Sequence, residues 1–217
     1  VPGRILAAEG ALVIPQTVLH LDSAGVDCEG DAQTLVWSVS QPEGSVSVFV
    51  PSDVDPTPSF EANVAGDYHF SLSPLGADGS PCGAPHRFLI SVVPESDVHV
   101  ELLWHTPGDL DESDEGPSAG SDLDLHVLHP YAEGPFDGIF DCFWFNPLPN
   151  WGSFDPMVND DPALDRDDTD GAGPENFSLS NAEEAFAYRV QVHSWNDHDF
   201  GDSEATVRVY IHGALVH

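Results

Sequence analysis

The sequence predicts an all-β protein built from two tandem β-sandwiches, and two observations carry that prediction. Short runs that alternate apolar and polar residues recur along the 217-residue chain, as expected where neighbouring side chains point to opposite faces of a strand. Nineteen Gly and nineteen Pro interrupt the chain so often that no stretch has the length and periodicity of a helix. The turn signals between the runs have the spacing that packed antiparallel sheets require.

The composition is strongly acidic and unevenly divided. The chain has 38 Asp and Glu against five Arg and no Lys, a formal net charge of -33, which excludes a nucleic-acid-binding protein. Residues 1–96 hold 12 acidic residues and two Arg (net -10), and residues 97–217 hold 26 and three (net -23). Residues 93–97 separate two strand-like runs at this change in charge. We therefore predict domains at residues 1–95 and 96–217.

Five strands are predicted in the first domain, each bounded by Gly, Pro, Asp or Ser. They cover residues 17–22, 34–40, 45–50, 67–73 and 87–93. Alternation places three apolar side chains on one face of each of two central strands. These are Leu35, Trp37 and Val39 in one strand and Tyr68, Phe70 and Leu72 in the other.

Two segments of this domain, LVWSVSQPEGS at 35–45 and FEANVAGDYHFSLS at 60–73, together resemble a PKD domain. The resemblance covers roughly residues 10–94. It implies an immunoglobulin-like sandwich of an extracellular or cell-surface protein, which serves as a spacer or adhesive unit and carries no catalytic residue. The chain departs from the PKD pattern in a shortened turn after the first strand, which contains Cys28.

The second domain is also predicted to consist of strands, with two long acidic loops at 106–121 and 155–176. Loops of this length in a compact domain are usually functional or disordered. The predicted strands cover residues 98–105, 122–129, 140–145, 187–195 and 205–213.

One of these strands has an Asp-x-Asp-x-His pattern. Its alternation places Leu123, Leu125 and Val127 on one face. Asp122, Asp124 and His126 lie on the other face. Residues two apart on a strand are separated by roughly 6.6 Å at the backbone, so two Asp side chains can converge on one cation. Such a cation needs further oxygen ligands from elsewhere in the chain.

The second acidic loop offers those oxygens, and Gly171 and Gly173 within it permit tight curvature. Many hard oxygen ligands without Cys or clustered His suit calcium, which takes 6 to 8 oxygens at about 2.3–2.6 Å. The spacing does not match an EF-hand. The alternative is a merely solvated acidic surface, as in a salt-adapted protein. The candidate oxygens belong to Asp160, Asp161, Asp165, Asp167, Asp168, Asp170, Glu175 and Asn176.

The segments SDLDLHVLHP, DRDDTDGAGPEN and YRVQVHSWNDH resemble an uncharacterised bacterial family of secreted β-sandwiches found with von Willebrand A-type domains. The strand with the later Asp-rich loop is also similar to tellurium-resistance-type and pre-peptidase C-terminal calcium sandwiches. The resemblance covers roughly residues 97–217 and implies a jelly-roll-like or immunoglobulin-like sandwich. It implies Asp122, Asp124, Asp168, Asp170 and Asn176 as metal ligands; Asp165 and Asp167 of the same loop complete the predicted set.

Two further groups have alternative interpretations. His193 and His198, with Asp197 between them, have the imidazoles that suit a transition metal, although His residues at a strand end more often form local hydrogen bonds. The aromatic stretch 140–151 suits either a carbohydrate-binding platform, with Trp151 and Trp195 exposed, or a buried strand, since both of its faces are largely apolar.

The cysteines are too few for a disulfide scaffold. Cys28 and Cys82 lie in loop-like segments that a single bridge can join, and Cys142 is expected to be buried. No catalytic motif is complete: 116–120 matches G-x-S-x-G but lacks the preceding strand and following helix of a nucleophile elbow. We therefore expect a protein that is not an enzyme.

The sequence as a whole predicts a calcium-binding structural or adhesion module of a bacterial surface or secreted protein. Its expected location is extracellular, with any signal segment removed or outside this sequence, and no apolar run is long enough to span a membrane. Its expected partners are calcium and, in addition, other surface proteins, further copies of itself or glycans. A carbohydrate-binding module and a subunit of a surface filament or layer are the alternatives.

Overall fold

A computed structural model describes residues 4–26, 34–114, 116, 118–169, 171–183 and 185–217. Over these residues the chain forms fifteen strands and no helix, which confirms the predicted all-β class. It divides into two compact units, Val1–Val93 and Pro94–His217, and the division falls within the 93–97 stretch. None of the described residues belongs to a helix that could span a lipid bilayer.

The first unit contains two sheets. One has the strand order β1-β7-β6-β3 and the other β2-β5-β4. Pairing is antiparallel except between β1 and β7, which are parallel. The strands are β1 (Leu12–Val13), β2 (Thr17–His20), β3 (Thr34–Ser40), β4 (Phe49–Val50), β5 (Ser59–Ala62), β6 (Gly66–Leu75) and β7 (His86–Val92).

The core of the first unit lies between its two sheets. Phe60 from one sheet packs edge-on against Phe70 from the other, with ring centroids 5.3 Å apart. Tyr68 closes the corner between β5 and β6, since its hydroxyl accepts the Val64 N–H at 3.0 Å. The predicted inward faces are confirmed: Trp37, Tyr68, Phe70 and Leu72 are buried, and Leu35 and Val39 pack partly buried against them.

The second unit also contains two sheets, both antiparallel. Their strand orders are β11-β12-β8-β14-β15 and β10-β9-β13. The strands are β8 (Val98–His105), β9 (Asp122–Leu128), β10 (Asp141–Cys142), β11 (Pro162–Arg166), β12 (Glu175–Leu179), β13 (Arg189–Asn196), β14 (Glu204–Ile211) and β15 (Ala214–Leu215).

Strand β9 is buried along its whole length. Its predicted apolar face is confirmed, since Leu123, Leu125 and Val127 join the core between the two sheets. The opposite face is also buried, because aromatic residues of the 130–151 segment cover it. The rings of Phe136 and Phe143 both lie 4.9 Å from the ring of His126. The polar side chains of β9 are therefore enclosed and not displayed to water.

The predicted bounds of one loop and one strand in the second unit were wrong. The 155–176 segment is not one long loop, because it contains β11 and the first residues of β12. Leu164 and Phe177 project from these strands into the core, so apolar alternation persists among the acidic residues. The predicted 140–145 strand shortens to β10, since the chain turns back between Phe143 and Asn146 and leaves Phe145 exposed.

The cysteines differ in state. Cys82 is disulfide-bonded, whereas Cys142 is a free, buried thiol, as expected. Burial, together with the nearby Asp141 charge, raises the pKa of the Cys142 thiol. Cys28 lies outside the described residues, so its pairing with Cys82 stays a prediction.

Candidate metal centre

Three carboxylates from distant parts of the second unit converge at one point. Asp124 lies on β9, Asp167 follows β11, and Glu175 begins β12. One carboxylate oxygen from each of them lies within 4.8 Å of the others. We call these three residues the acidic cluster. The cluster joins the sheet that contains β9 to the sheet that contains β12 and to the 167–174 loop.

Glu175 connects the parts of the acidic cluster through two hydrogen bonds to the backbone. Its carboxylate accepts the Leu125 N–H at 2.6 Å, which links β12 to β9 across the two sheets. The other oxygen accepts the Asp168 N–H at 3.3 Å, which holds the loop against the strand. Glu175 is fully buried, whereas Asp167 reaches the surface. The acidic cluster is therefore buried at Glu175 and open to solvent at Asp167.

Glycines shape the loop between Asp167 and Glu175. Gly171 and Gly173 have φ values of 67° and 76°, which glycine adopts without steric cost, and this agrees with the curvature expected for them. A Cβ on Gly173 would come within 2.9 Å of the Leu102 carbonyl oxygen and within 2.7 Å of the Trp104 ring. The loop can therefore approach β8 closely enough to seat Glu175 only with glycine at this position.

The electrostatics of the acidic cluster favour a bound cation. Burial holds the pKa of Glu175 well above its usual range, and the charges of Asp167 and Asp124 raise it further against two backbone hydrogen bonds. Loss of surrounding water raises the pKa of Asp167, with Asp124 adding to the rise and a hydrogen bond with Glu175 opposing it. Like charges this close cannot all ionise cheaply unless a cation compensates them.

The structure brings two of the predicted ligands, Asp124 and Asp167, into the acidic cluster. Glu175 is among the oxygen donors that the sequence offers in this loop, but the predicted ligand set does not include it. The missing signal is the strand that begins at this residue. Residues 175, 177 and 179 alternate with the same phase, so Glu175 lies on the face whose Phe177 and Leu179 enter the core.

Other predicted ligands have different neighbours. The Asp165 carboxylate accepts a hydrogen bond from the Ser178 hydroxyl at 2.8 Å, across the β11–β12 pair. The Asp168 carboxylate pairs with the Arg166 guanidinium at 3.2 Å, although its own N–H donates to the cluster. These two acids therefore support the loop from outside the acidic cluster.

The remaining predicted ligands are Asp122, Asn176 and Asp170. Asp122 and Asn176 are buried at the starts of β9 and β12. Asp170 lies outside the described residues.

A second group of side chains shares Asp124. His193 lies directly opposite Asp124 in the β9–β13 register, and its Nδ1 is 2.8 Å from an Asp124 carboxylate oxygen. His126 lies two residues along β9, on the same face as Asp124. One ligand atom from each of the three lies within 4.8 Å of the others. We call Asp124, His126 and His193 the histidine cluster.

The predicted partner of His193 lies elsewhere. His198 makes a 2.8 Å hydrogen bond through Nδ1 to the Gly120 carbonyl oxygen, and Asp197 accepts the Asp199 N–H at 3.2 Å. His198 and Asp197 therefore form local hydrogen bonds, which was the alternative to a transition-metal site at this motif. His126 takes the place beside His193 instead, because the register of β13 on β9, which the motif spacing does not encode, sets that pairing.

The two candidate platform tryptophans differ in exposure. Trp195 is 55% exposed and packs edge-on against Trp144. Trp151 is partly buried: it stacks on Tyr188 with ring planes 10° apart, and its indole N–H donates to the Ile139 carbonyl oxygen. Only Trp195 of the two presents a largely open aromatic face.

Comparison with known proteins found no matching family model, curated protein or solved structure. The PKD-like and secreted-sandwich resemblances therefore depend on the quoted motifs alone.

Proposed function

We propose that this protein is a non-catalytic calcium-binding structural module of a bacterial surface or secreted protein, with the acidic cluster as its calcium site. The convergence of Asp124, Asp167 and Glu175 is the observation that carries the proposal. Three carboxylates supply up to six hard oxygens, and backbone carbonyls or water complete the 6 to 8 that calcium takes.

The proposed role of the ion is mechanical. It connects β9 of one sheet, β12 of the other and the loop that carries Asp167, and it removes the repulsion among the three carboxylates. Binding to the folded state alone stabilises it by mass action, about 2.7 kcal/mol when the ligand is at 100 times its dissociation constant. Extracellular calcium modules work at dissociation constants of about 10⁻⁴ to 10⁻³ M, which fits a partly exposed site.

An immunoglobulin-like first unit fits this role. The Tyr68 hydroxyl returns to the Val64 backbone four residues upstream, an arrangement typical of immunoglobulin-like sandwiches. The PKD-like motifs point to the same class. A spacer followed by a calcium-stiffened sandwich suits a structural or adhesive protein outside the cell.

The test is thermal unfolding of chelator-treated protein with and without calcium, with calorimetric titration for the stoichiometry. We expect calcium to raise the melting temperature and one site to titrate. Glu175→Gln removes a ligand charge and should abolish the calcium response while leaving the metal-free protein folded, because it also relieves carboxylate repulsion.

Asp165→Asn is the matched control. It removes an acid two residues from Asp167 whose carboxylate pairs with Ser178 and not with the cluster, so its calcium response should equal that of the unmodified protein. An absent calcium response in the unmodified protein, or equal responses in both variants, would overturn the proposal.

A glycan-binding role is the second candidate, favoured by the exposure of Trp195. Trp195 borders an open pocket that is also lined by Asn196, Asp197 and Asp202, so an aromatic face lies beside polar hydrogen-bonding groups. Binding on a glycan array that Trp195→Ala abolishes would support this role. Binding that the substitution leaves unchanged would remove it.

A further inference from the structure

The histidine cluster contains a ring that the surrounding residues hold in place. His126 is fully buried, stacked on Phe143 with ring planes 16° apart and contacted at its edge by Phe136. Its Nδ1 lies 2.7 Å from a carboxylate oxygen of Asp141, which is also buried and also accepts the Phe136 N–H. Packing and a charged hydrogen bond together fix the orientation of this imidazole.

The surroundings of the other ring nitrogen of His126 indicate that this atom binds a ligand. Because Asp141 accepts at Nδ1, that nitrogen carries the proton and Nε2 presents its lone pair. Nε2 is buried and has no hydrogen-bond partner among the described residues. A buried acceptor left unsatisfied is costly, and such groups in folded proteins usually have a functional reason.

Asp124 and His193 supply the other ligand atoms, and a metal ion bound there would displace and release the proton that joins His193 Nδ1 to Asp124 at 2.8 Å. Strand pairing places His193 opposite Asp124, and alternation places His126 on the same face two residues on. The resulting set has two imidazole nitrogens and one carboxylate oxygen, all within 4.8 Å. The His193 side chain is 40% exposed, so the cluster opens to solvent at that residue.

We propose that Asp124, His126 and His193 form a second metal site, which takes zinc or a similar divalent transition metal. Two imidazoles and one carboxylate are a known set of three protein ligands for zinc, with water in the fourth coordination position. Asp141 orients His126 in the carboxylate–histidine–metal arrangement typical of such sites. The two imidazoles distinguish this site from the all-oxygen acidic cluster, so it does not depend on the calcium proposal although the two share Asp124.

The test uses the full chain in calcium-free buffer. Titration with Zn²⁺ should show one tight site, and Co²⁺ at that site should give the visible absorption of a tetrahedral ion with nitrogen ligands. X-ray absorption of the zinc-loaded protein should show two imidazole scatterers. A zinc shell made only of oxygen, or no zinc bound above a non-specific background, would overturn the proposal without any variant.

Variants separate this site from its neighbours. His193→Ala, at a half-exposed position, should lose zinc binding and keep the calcium response, which also reports that the variant is folded. Asp141→Asn should weaken zinc binding by roughly 10- to 100-fold. His198→Gln is the control and should bind zinc normally, because His198 bonds to Gly120. Unchanged binding in His193→Ala, or loss in His198→Gln, would assign the zinc to other residues.

The two metal proposals fail separately. Glu175→Gln should abolish the calcium response and leave zinc binding intact, whereas His193→Ala should do the reverse. Loss of zinc binding in Glu175→Gln would contradict a separate histidine site and place both metals in the acidic cluster.

Discussion

Glu175 has an environment very different from that of an ordinary surface carboxylate. It is fully buried, receives two backbone N–H groups and faces two further carboxylates. Burial is the largest cause of its raised pKa, and the charges of Asp167 and Asp124 come next. Without a cation, folding therefore favours the protonated form of this side chain.

This predicts how the metal-free protein responds to pH. Because the folded pKa of Glu175 lies above its unfolded value, the folded state binds more protons between the two values. The contribution of Glu175 to stability is full below about pH 4.5 and is lost as pH rises through the raised pKa. Denaturant unfolding of chelated protein at stepped pH should show the free energy of unfolding falling across this window, and calcium should reverse the fall.

Glu175→Gln is the control for this pH series, since the amide does not titrate. The variant should show a flatter dependence of unfolding free energy on pH over the same window. Equal slopes in the two proteins would assign the pH dependence to the general acidic charge of the chain and not to this carboxyl.

Strand β9 connects the two candidate metal sites. Its inward face packs into the core, while its other face supplies Asp124 to both clusters and His126 to one. Strand β12 approaches it from the opposite sheet and β13 pairs along its edge. The 167–174 loop completes the acidic cluster, so its shape decides where Glu175 and Asp167 meet.

Gly173→Ala should therefore impair both folding and calcium binding. The substituted residue must adopt a positive φ, and its Cβ would crowd Leu102 and Trp104 of β8. We expect a destabilisation on the order of 1–3 kcal/mol and weaker calcium binding, measured by denaturant unfolding and calorimetry.

Gly138→Ala provides the comparison. No heavy atom lies within 4 Å of the Cβ that it would add, so its stability and calcium affinity should stay close to those of the unmodified protein. If Gly173→Ala behaved in the same way, the close approach of the loop to β8 would not be what positions the acidic cluster.

The sequence predicted the elements best where strand-forming apolar residues were concentrated. The bounds of β3 and β8 match their predicted ranges because Val, Leu and Trp make up more than half of each run. Strands β11 and β12 were missed because acids surround Leu164 and Phe177, so the local composition resembles a loop. Burial of those two side chains against the opposite sheet stabilises strand structure that the local composition does not indicate.

The net charge of -33 opposes compaction of the chain, and most of it lies in residues 97–217. Self-repulsion of this kind destabilises a folded protein and is screened by salt, with a Debye length of about 8 Å at 0.15 M. Ions bound at the acidic and histidine clusters would neutralise part of this charge where it is most enclosed.

Sodium chloride should therefore raise the melting temperature of the metal-free protein progressively. Calcium should add a further rise that persists at high salt, because carboxylates enclosed with Glu175 are screened less than surface charges. Thermal unfolding across a salt series, with and without calcium, measures both effects. A calcium response that vanished once sodium chloride screened the surface would indicate diffuse counterion binding in place of a site.

The all-β class, the uneven charge and the two faces of the Asp-x-Asp strand can be predicted from the order of the amino acids, because each follows from residues close together in the chain. The fold is needed to show which carboxylates meet and which histidine lies beside His193. Glu175 reaches Asp124 because β12 of one sheet lies beside β9 of the other, where its carboxylate accepts the Leu125 N–H, and His126 lies beside His193 because of the register of β13 on β9. Both are long-range pairings that local alternation does not specify.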